Sequence, residues 1–232
     1  IISRIAINHI RKIVLPTDQM YARRFDKIVA NSENVKRRII KYYRINKNIP
    51  VIYPPTDVKK FRYQSSEGFY LSTGRLDKLK RVDLIVRAFR KMQDKRLVVI
   101  SSGPEKNNIK KLADRYENIE VKGWVSDEEY TDLLSRCTAT IYIPVNEDSG
   151  ISPVESMAAG KPCIASNDGG VVETIVNKKT GLCVRASEEN VIRAVQWLTP
   201  ERAKKMRNEC TERAQKFSEK NFIKEMKKRV FL

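Results

Sequence analysis

One histidine and four cysteines in 232 residues leave this chain little with which to hold a transition metal. Cys137, Cys163, Cys183 and Cys210 stand far apart with no C-x-x-C pair, and His9 stands alone, so the ligand spacings of zinc sites are excluded. Free thiols in a reducing cytoplasm are the plain reading of such cysteines. No apolar run approaches the ~18 residues that span a bilayer. The stretch from Ile1 to Leu15 is interrupted by Arg4, His9, Arg11 and Lys12 and has no small-residue cleavage site, so no secretory leader is read there. Also missing are G-x-x-x-x-G-K-[ST] and G-x-G-x-x-G, which removes the P-loop and the dinucleotide fingerprint.

What the chain has in excess is positive charge. Against 28 acids stand 46 Lys and Arg, a net charge of +18, and the excess is uneven. The first 63 residues hold 15 Lys/Arg against 4 Asp/Glu, or +11, and the remainder supplies +7. Such a balance suits phosphates and acidic lipid headgroups, or simply a solubilising surface. Nucleic acid is not expected as a partner, because no basic motif is interleaved with aromatics and no reader module is visible. With 41% hydrophobic and 32% charged residues, composition is that of a globular protein with a sizeable core.

From residue 66 onward, short apolar runs alternate with helical stretches. Phe69–Ser72, Leu97–Ser101, Ile119–Val121, Ala139–Ile143, Cys163–Ser166 and Leu182–Val184 read as strands. Between and after them, helices are predicted over 81–92, 105–116, 126–137, 153–159, 170–177, 187–198, 200–216 and 219–230. In the first of these, Val82, Ile85, Val86 and Phe89 recur at helical spacing. The alternation predicts an α/β fold, a doubly wound, Rossmann-like parallel sheet with helices on both faces. The first 65 residues differ: a basic helix to about Phe25, a strand Lys27–Asn31, a helix capped by Ser32 to about Tyr43, and an extended piece Pro50–Tyr53. They read as the tail end of another domain.

Ligands in such folds bind at the carboxyl ends of strands. In the loop after the fourth strand, Gly150 permits a tight turn, and Ser152-Pro153-Val154-Glu155 has the form of a capping box with proline at the first helical position. A helix N-terminus there carries ~+0.5 of an elementary charge and suits a phosphate. Glu155 either closes the capping box or accepts from sugar and ribose hydroxyls, and the two roles are compatible. Glu147 either faces the same cleft or is an exposed loop acid; it has no evident structural duty. Ser72-Thr73-Gly74-Arg75-Leu76, with Lys78, Lys80 and Arg81 following, is a basic post-strand loop that could clamp a diphosphate from the other side. Ser102-Gly103-Pro104-Glu105 and Gly123-Trp124-Val125-Ser126 could hold a nucleobase, with Trp124 expected in the core. His9, in a basic helical stretch with no acid partner, is not expected to be catalytic.

Glu147-x7-Glu155, followed by Ser-Met-Ala-Ala-Gly160-Lys-Pro162, resembles the E-x7-E signature of retaining GT-B glycosyltransferases of glycosyltransferase family 4. Ser72-Thr-Gly-Arg75-Leu with Lys80 is similar to that family's phosphate-binding loop, and Asn118-Ile-Glu-Val-Lys-Gly-Trp-Val125 to its nucleobase-side loop. Gly169-Gly170-Val-Val-Glu173, Thr180-Gly181 and Ala214–Phe222 resemble later landmarks, so the likeness covers residues ~66–230. With Val51-Ile-Tyr-Pro-Pro55, it is nearest to the members that use GDP-mannose. The resemblance implies that Arg75 and Lys80 neutralise the donor diphosphate, that Glu155 binds ribose and that Glu147 binds the transferred hexose. It places the substrate against Gly74, Gly103, Val125, Ser149, Gly150, Ile151 and Ser152. No metal or organic cofactor is implied. The family often has Phe at the position of Ser149, and Gly where Arg81 follows the lysine; Arg81 is expected to add charge to the clamp.

The implied division is a remnant of the N-terminal acceptor domain with linker over 1–63, the nucleotide-sugar domain over 64–216, and a crossing helix over 217–232. The implied partners are a nucleotide sugar, GDP-mannose favoured, a glycan or lipid-linked acceptor, and peripheral contact with an anionic membrane, in a cytoplasmic protein. Because little of an acceptor domain is recognisable, the chain alone is expected to bind nucleotide sugar and to transfer it poorly. The competing readings are a nucleotide-sugar-binding module without catalysis and a GT-B epimerase.

Overall fold

Phe69-Tyr70-Leu71-Ser72 (β1) is buried at all four positions, as a strand covered on both faces must be. In the computed structural model, which describes residues 4–45 and 48–231, β1 lies in the middle of a six-stranded, all-parallel sheet. The other strands are Arg96–Ile100 (β2), Ile119–Gly123 (β3), Ala139–Tyr142 (β4), Cys163–Ser166 (β5) and Gly181–Val184 (β6). Their order is β3-β2-β1-β4-β5-β6. Leu71 pairs with Val98 on one side and Thr140 on the other. The expected doubly wound sheet is therefore present, each strand within two residues of its predicted bounds.

Helices Val82–Phe89 (α3), Lys106–Ala113 (α4) and Glu188–Trp197 (α8) pack side by side as one layer. Ile151–Ala158 (α6) packs on β4 and β5 and carries Arg207–Gln215 (α10). Asp127–Arg136 (α5) and Val171–Thr174 (α7) complete the connections between strands. Leu71, Val86, Phe89, Val99, Leu134, Ile141, Met157, Ile164 and Val195 belong to one continuous core. Tyr70 is buried in it with its hydroxyl donating to Val195 O at 3.0 Å and Leu198 O at 2.8 Å, so the polar tip is satisfied. Burial pushes that phenol up to about 12. The edge strand β3 alternates buried and solvent-facing positions, and Lys122 pairs with Glu120 and Glu129 along it.

Three expectations are corrected. The predicted strand Lys27–Asn31 is a single parallel bridge, Ala30 to Val51, because no further strand lies beside it. The predicted helix 200–216 is two, Pro200–Lys205 (α9) and α10, broken at Met206. Before them, Thr199 caps α9 by accepting from Arg202 N. The N-terminal helix, Arg4–Ala22 (α1), stops short of Phe25. The helix after it, Glu33–Tyr43 (α2), is capped by Ser32 as expected, Val35 N donating to Ser32 Oγ at 3.0 Å. Glu219–Met226 (α11) runs into one π-turn over Lys227–Phe231. No helix among the described residues is long and apolar enough to cross a membrane. Cys137, Cys163 and Cys210 are buried free thiols and Cys183 is partly buried; burial raises all four, Cys137 and Cys163 to about 12, which keeps them protonated and unreactive.

Candidate functional site

The strand order reverses between β1 and β4, so the loops leaving these two strands are neighbours. Lys80, from the post-β1 loop, reaches into the post-β4 loop. Its Nζ lies 2.5 Å from Glu147 Oε2 and donates to the Tyr142 hydroxyl at 3.0 Å. Tyr142, the last residue of β4, donates in turn to Glu147 Oε2 at 2.7 Å. The Lys80 and Glu147 side chains are only 24% and 18% exposed, so this pair is shielded and holds the carboxylate in one orientation. Glu147 thus has a structural duty that its place in the sequence did not disclose. Arg75, in contrast, is exposed and pairs with no carboxylate among the described residues.

Arg81 does not join them. Its Nε donates to Ile143 O at 2.9 Å and its terminal nitrogen to Pro144 O, so it braces the end of β4 instead of adding charge to a phosphate clamp. Gly74 is buried beneath Lys80, where a Cβ would lie 3.3 Å from the Lys80 Cβ. At the end of β1, Ser72 Oγ and Thr73 Oγ1 are buried polar atoms with no protein partner.

The helix after this loop begins two residues earlier than the capping box predicted. Gly150, at φ +86°, is the N-cap of α6, and no side chain caps it. A residue with a side chain is strained at that φ, which explains why the turn sits on glycine and not on Ser152. Ser152 and Pro153 are then the second and third helical residues, where the missing proline N–H leaves no bond unmade. Among the described residues, the N–H groups of Ser149, Gly150, Ile151 and Ser152 donate to no protein acceptor. Ile151 is 46% exposed and Ser149 is buried, its carbonyl accepting from Thr174 Oγ1 at 3.0 Å. Uncapped N–H groups at the carboxyl end of a parallel sheet are the chemistry of an anion site.

Glu155 does not close a capping box. Its Oε2 accepts from the Tyr130 hydroxyl of α5 at 2.6 Å. Burial raises the Glu155 carboxyl above its usual range, against the Tyr130 hydrogen bond, which lowers it. A raised acid contributes stability in its protonated form, fully present below the unfolded-state value of ~4.3 and lost as pH rises through the folded value. Glu155→Gln is therefore expected to melt higher than the parent at about pH 8, with the gap closing on acidification to about pH 4. A variant that melts lower at every pH would contradict this account.

The two loops expected on the nucleobase side divide. A Cβ at Gly103 would sit 2.3 Å from Leu76 O, and Leu76 N donates to Ser102 O while Glu105 N donates to Leu76 O. That glycine is needed for one loop to lie on the other. Val125 is partly buried against the core. Trp124, expected in the core, is 77% exposed: with Val125 turned inward, alternation along the extended chain turns its neighbour out.

Several functional candidates had no local signal. The loop 146–148 lies on the backbone of Gly169-Gly170; a Cβ on Gly170 would sit 2.1 Å from Asp148 O, and Gly170 N donates to Glu147 O at 2.6 Å. The N-terminal segment reaches the same loop. Asn34 Nδ2 lies 3.2 Å from both Asn146 Oδ1 and Glu147 O, and Arg38 pairs with Asp148. Glu173 accepts from Glu33 N and Asn34 N, both at 2.8 Å, and from the Tyr53 hydroxyl at 3.2 Å. His9 is exposed on α1, with no hydrogen bond or ion pair to these loops among the described residues.

The profile of the glycosyl transferases group 1 family matches residues 55–217. The alpha-1,3/1,6-mannosyltransferase ALG2 of Saccharomyces cerevisiae is 31% identical over 227 residues, covering 75% of this chain and 44% of the yeast protein. The human GDP-Man:Man(3)GlcNAc(2)-PP-Dol alpha-1,2-mannosyltransferase is 25% identical over 228 residues, covering 85% of this chain and 46% of that one. The chain thus spans just under half the length of these relatives. Among solved structures, sucrose-phosphate synthase from Thermosynechococcus elongatus superposes with a TM-score of 0.83 at 20% identity, over 95% of this chain and 62% of that one. HepE of Anabaena in complex with UDP-glucose gives 0.80 at 16% identity, over 99% and 70%. The likeness to these two structures is one of fold, whereas the profile match covers more than half the chain and the site: the chain belongs to the glycosyl transferases group 1 family.

Proposed function

We propose that this chain carries the donor side of a sugar transfer from a nucleoside diphosphate sugar, with GDP-mannose favoured because both relatives are mannosyltransferases and the human one's name carries GDP-Man. The observation that carries the reading is an uncapped helix N-terminus beside the switch point, with the Lys80–Glu147 pair in the loop before it and Glu155 on the helix it opens. The N–H groups of Ser149 to Ser152 and the cations Arg75 and Lys80 face the diphosphate, whose negative charge grows as the glycosidic bond breaks, so they act where transition-state stabilisation is largest. Glu147 accepts from hydroxyls of the hexose and Glu155 from those of the ribose. Transfer proceeds with retention, the leaving diphosphate assisting attack from its own face.

The acceptor is a glycan or a lipid-linked sugar; the human relative's name carries a diphosphodolichol-linked one. The basic face of residues 1–63 lies toward an anionic membrane in this reading, the chain remaining peripheral to it. Those residues belong to the acceptor side, 64–216 to the donor side and 217–232 to a helix crossing between them. Because the chain spans 44% of the yeast relative, donor binding is expected to exceed transfer when it acts alone.

The test is calorimetric titration of the chain with GDP, UDP and ADP and with their sugar conjugates. GDP-mannose is expected to bind more tightly than GDP, and Glu147→Ala to remove about tenfold of that advantage, one charge-assisted hydrogen bond's worth. No binding of any nucleotide or nucleotide sugar would sink the proposal.

A further inference from the structure

Asn34 is the one buried residue of α2, a helix whose other described residues are exposed or partly so. It sits at the second helical position, directly after the Glu33 N–H that meets Glu173, and its N–H and side-chain amide nitrogen are both engaged. Its backbone N–H goes to Glu173 Oε1 and its side-chain amide donates to Asn146 Oδ1 and to the carbonyl of Glu147. A buried amide so far from the sheet's own loops in sequence calls for a reason, because local helix stability does not need it. Asparagine is among the poorer helix interior residues, and its side chain competes with the backbone for hydrogen bonds.

We infer that Asn34 is a positioning residue for the sugar half of the donor site, acting through the backbone of Glu147. The loop around Glu147 is not self-supporting. Asn146 holds a φ of +44°, in the left-handed region that most residues avoid. Outside clamps fix it from several sides: Asp168 takes Asn146 N at 2.9 Å, Leu79 O takes Val145 N at 2.7 Å, and Gly170 N donates to Glu147 O. Asn34 adds a contact from the N-terminal segment, bonding both the residue at positive φ and the carbonyl of the residue that carries the carboxylate. Arg38, one turn further along α2, pairs with Asp148 and fixes the loop's far end. The carboxylate itself is aimed by Lys80 and Tyr142 from the sheet side. Its backbone is aimed by a helix that belongs to the first 63 residues. The segment before the sheet therefore sets how precisely the hexose hydroxyls are met, without touching the hexose.

This inference rests on the donor-site reading, and its test separates the two. The parent chain, Asn34→Ala and Glu147→Ala are titrated with GDP-mannose and with GDP, and each is melted to check folding. Asn34→Ala is expected to bind GDP as the parent does and to bind GDP-mannose about tenfold more weakly, reproducing most of the Glu147→Ala loss through a residue that makes no ligand contact. Asn146→Gly, which tolerates the positive φ while deleting one acceptor of Asn34, is expected to move affinity the same way by a smaller factor; if Asn34→Ala does not fold, this variant decides. Equal weakening of both ligands, or unchanged affinity for both, overturns the positioning role. Failure of the parent to bind either ligand would instead remove the donor-site reading beneath it.

Discussion

Replacing Gly170 with alanine should weaken nucleotide-sugar binding by one to two orders of magnitude while the six-stranded sheet stays folded. The added Cβ would sit 2.1 Å from Asp148 O and 2.8 Å from the carbonyl carbon, and these are backbone atoms that no rotamer change can move. The loop must retreat, and with it goes the 2.6 Å bond from Gly170 N to Glu147 O. Overpacking of this kind costs about 1–3 kcal/mol. Most of it falls on binding, because the loop can swing away in the free protein and must be forced back to present Glu147. Far-UV circular dichroism should be unchanged and the calorimetric affinity for GDP-mannose reduced. An alanine variant with parental affinity would mean that the loop's position on Gly169-Gly170 is irrelevant to the ligand.

Glu173→Ala should detach the N-terminal segment from the sheet domain. Its carboxylate serves two N–H groups in the first turn of α2 and the Tyr53 hydroxyl, and leaving the N–H of the buried Asn34 without its acceptor costs about 1–3 kcal/mol. Arg213 holds the Glu173 and Thr174 carbonyls from α10, so α7 itself keeps its place when the side chain is cut back. Hydrogen exchange should then show residues 26–45 losing protection while β1, β4 and β5 keep theirs. Uniform loss across the chain would show instead that the two parts unfold together.

The sheet was legible because its strands are short, apolar and bounded by turn residues: Phe69–Ser72 and Cys163–Ser166 match residue for residue. The loops that matter follow from the strand order, and Arg75, Lys80, Glu147 and Glu155 stand in the two loops beside the switch point or on the helix that one of them enters. What failed was local inference where the backbone had a stronger local alternative. Ser152-x-x-Glu155 has the letters of a capping box, yet Gly150 starts the helix first and Tyr130 takes the glutamate. Trp124 is large and apolar, which argues for an inward side chain, but its neighbour Val125 occupies that direction. Glu173 and Asn34 lie 139 positions apart, and no periodicity or spacing rule connects them. The resemblance to the family placed Glu173 among its landmarks without indicating what the residue grips.

The two outer strands differ in what they offer to another chain. An open sheet has two rims, and a bare strand rim invites another chain to add on. At β3, Glu120 and Lys122 face solvent at 55% and 29% exposure, so a strand added there would bring its own side chains against a fixed pattern of alternating charge. At β6, the rim is taken by the turn that precedes it: Asn177 Oδ1 accepts from Cys183 N, and Lys178 N donates to Gly181 O. One rim is guarded electrostatically and the other by the chain's own backbone. Substituting Glu120 and Lys122 with valine would leave the loops of the candidate site, on the central strands, untouched and is expected to promote association through this rim, read as a mass that rises with concentration in light scattering.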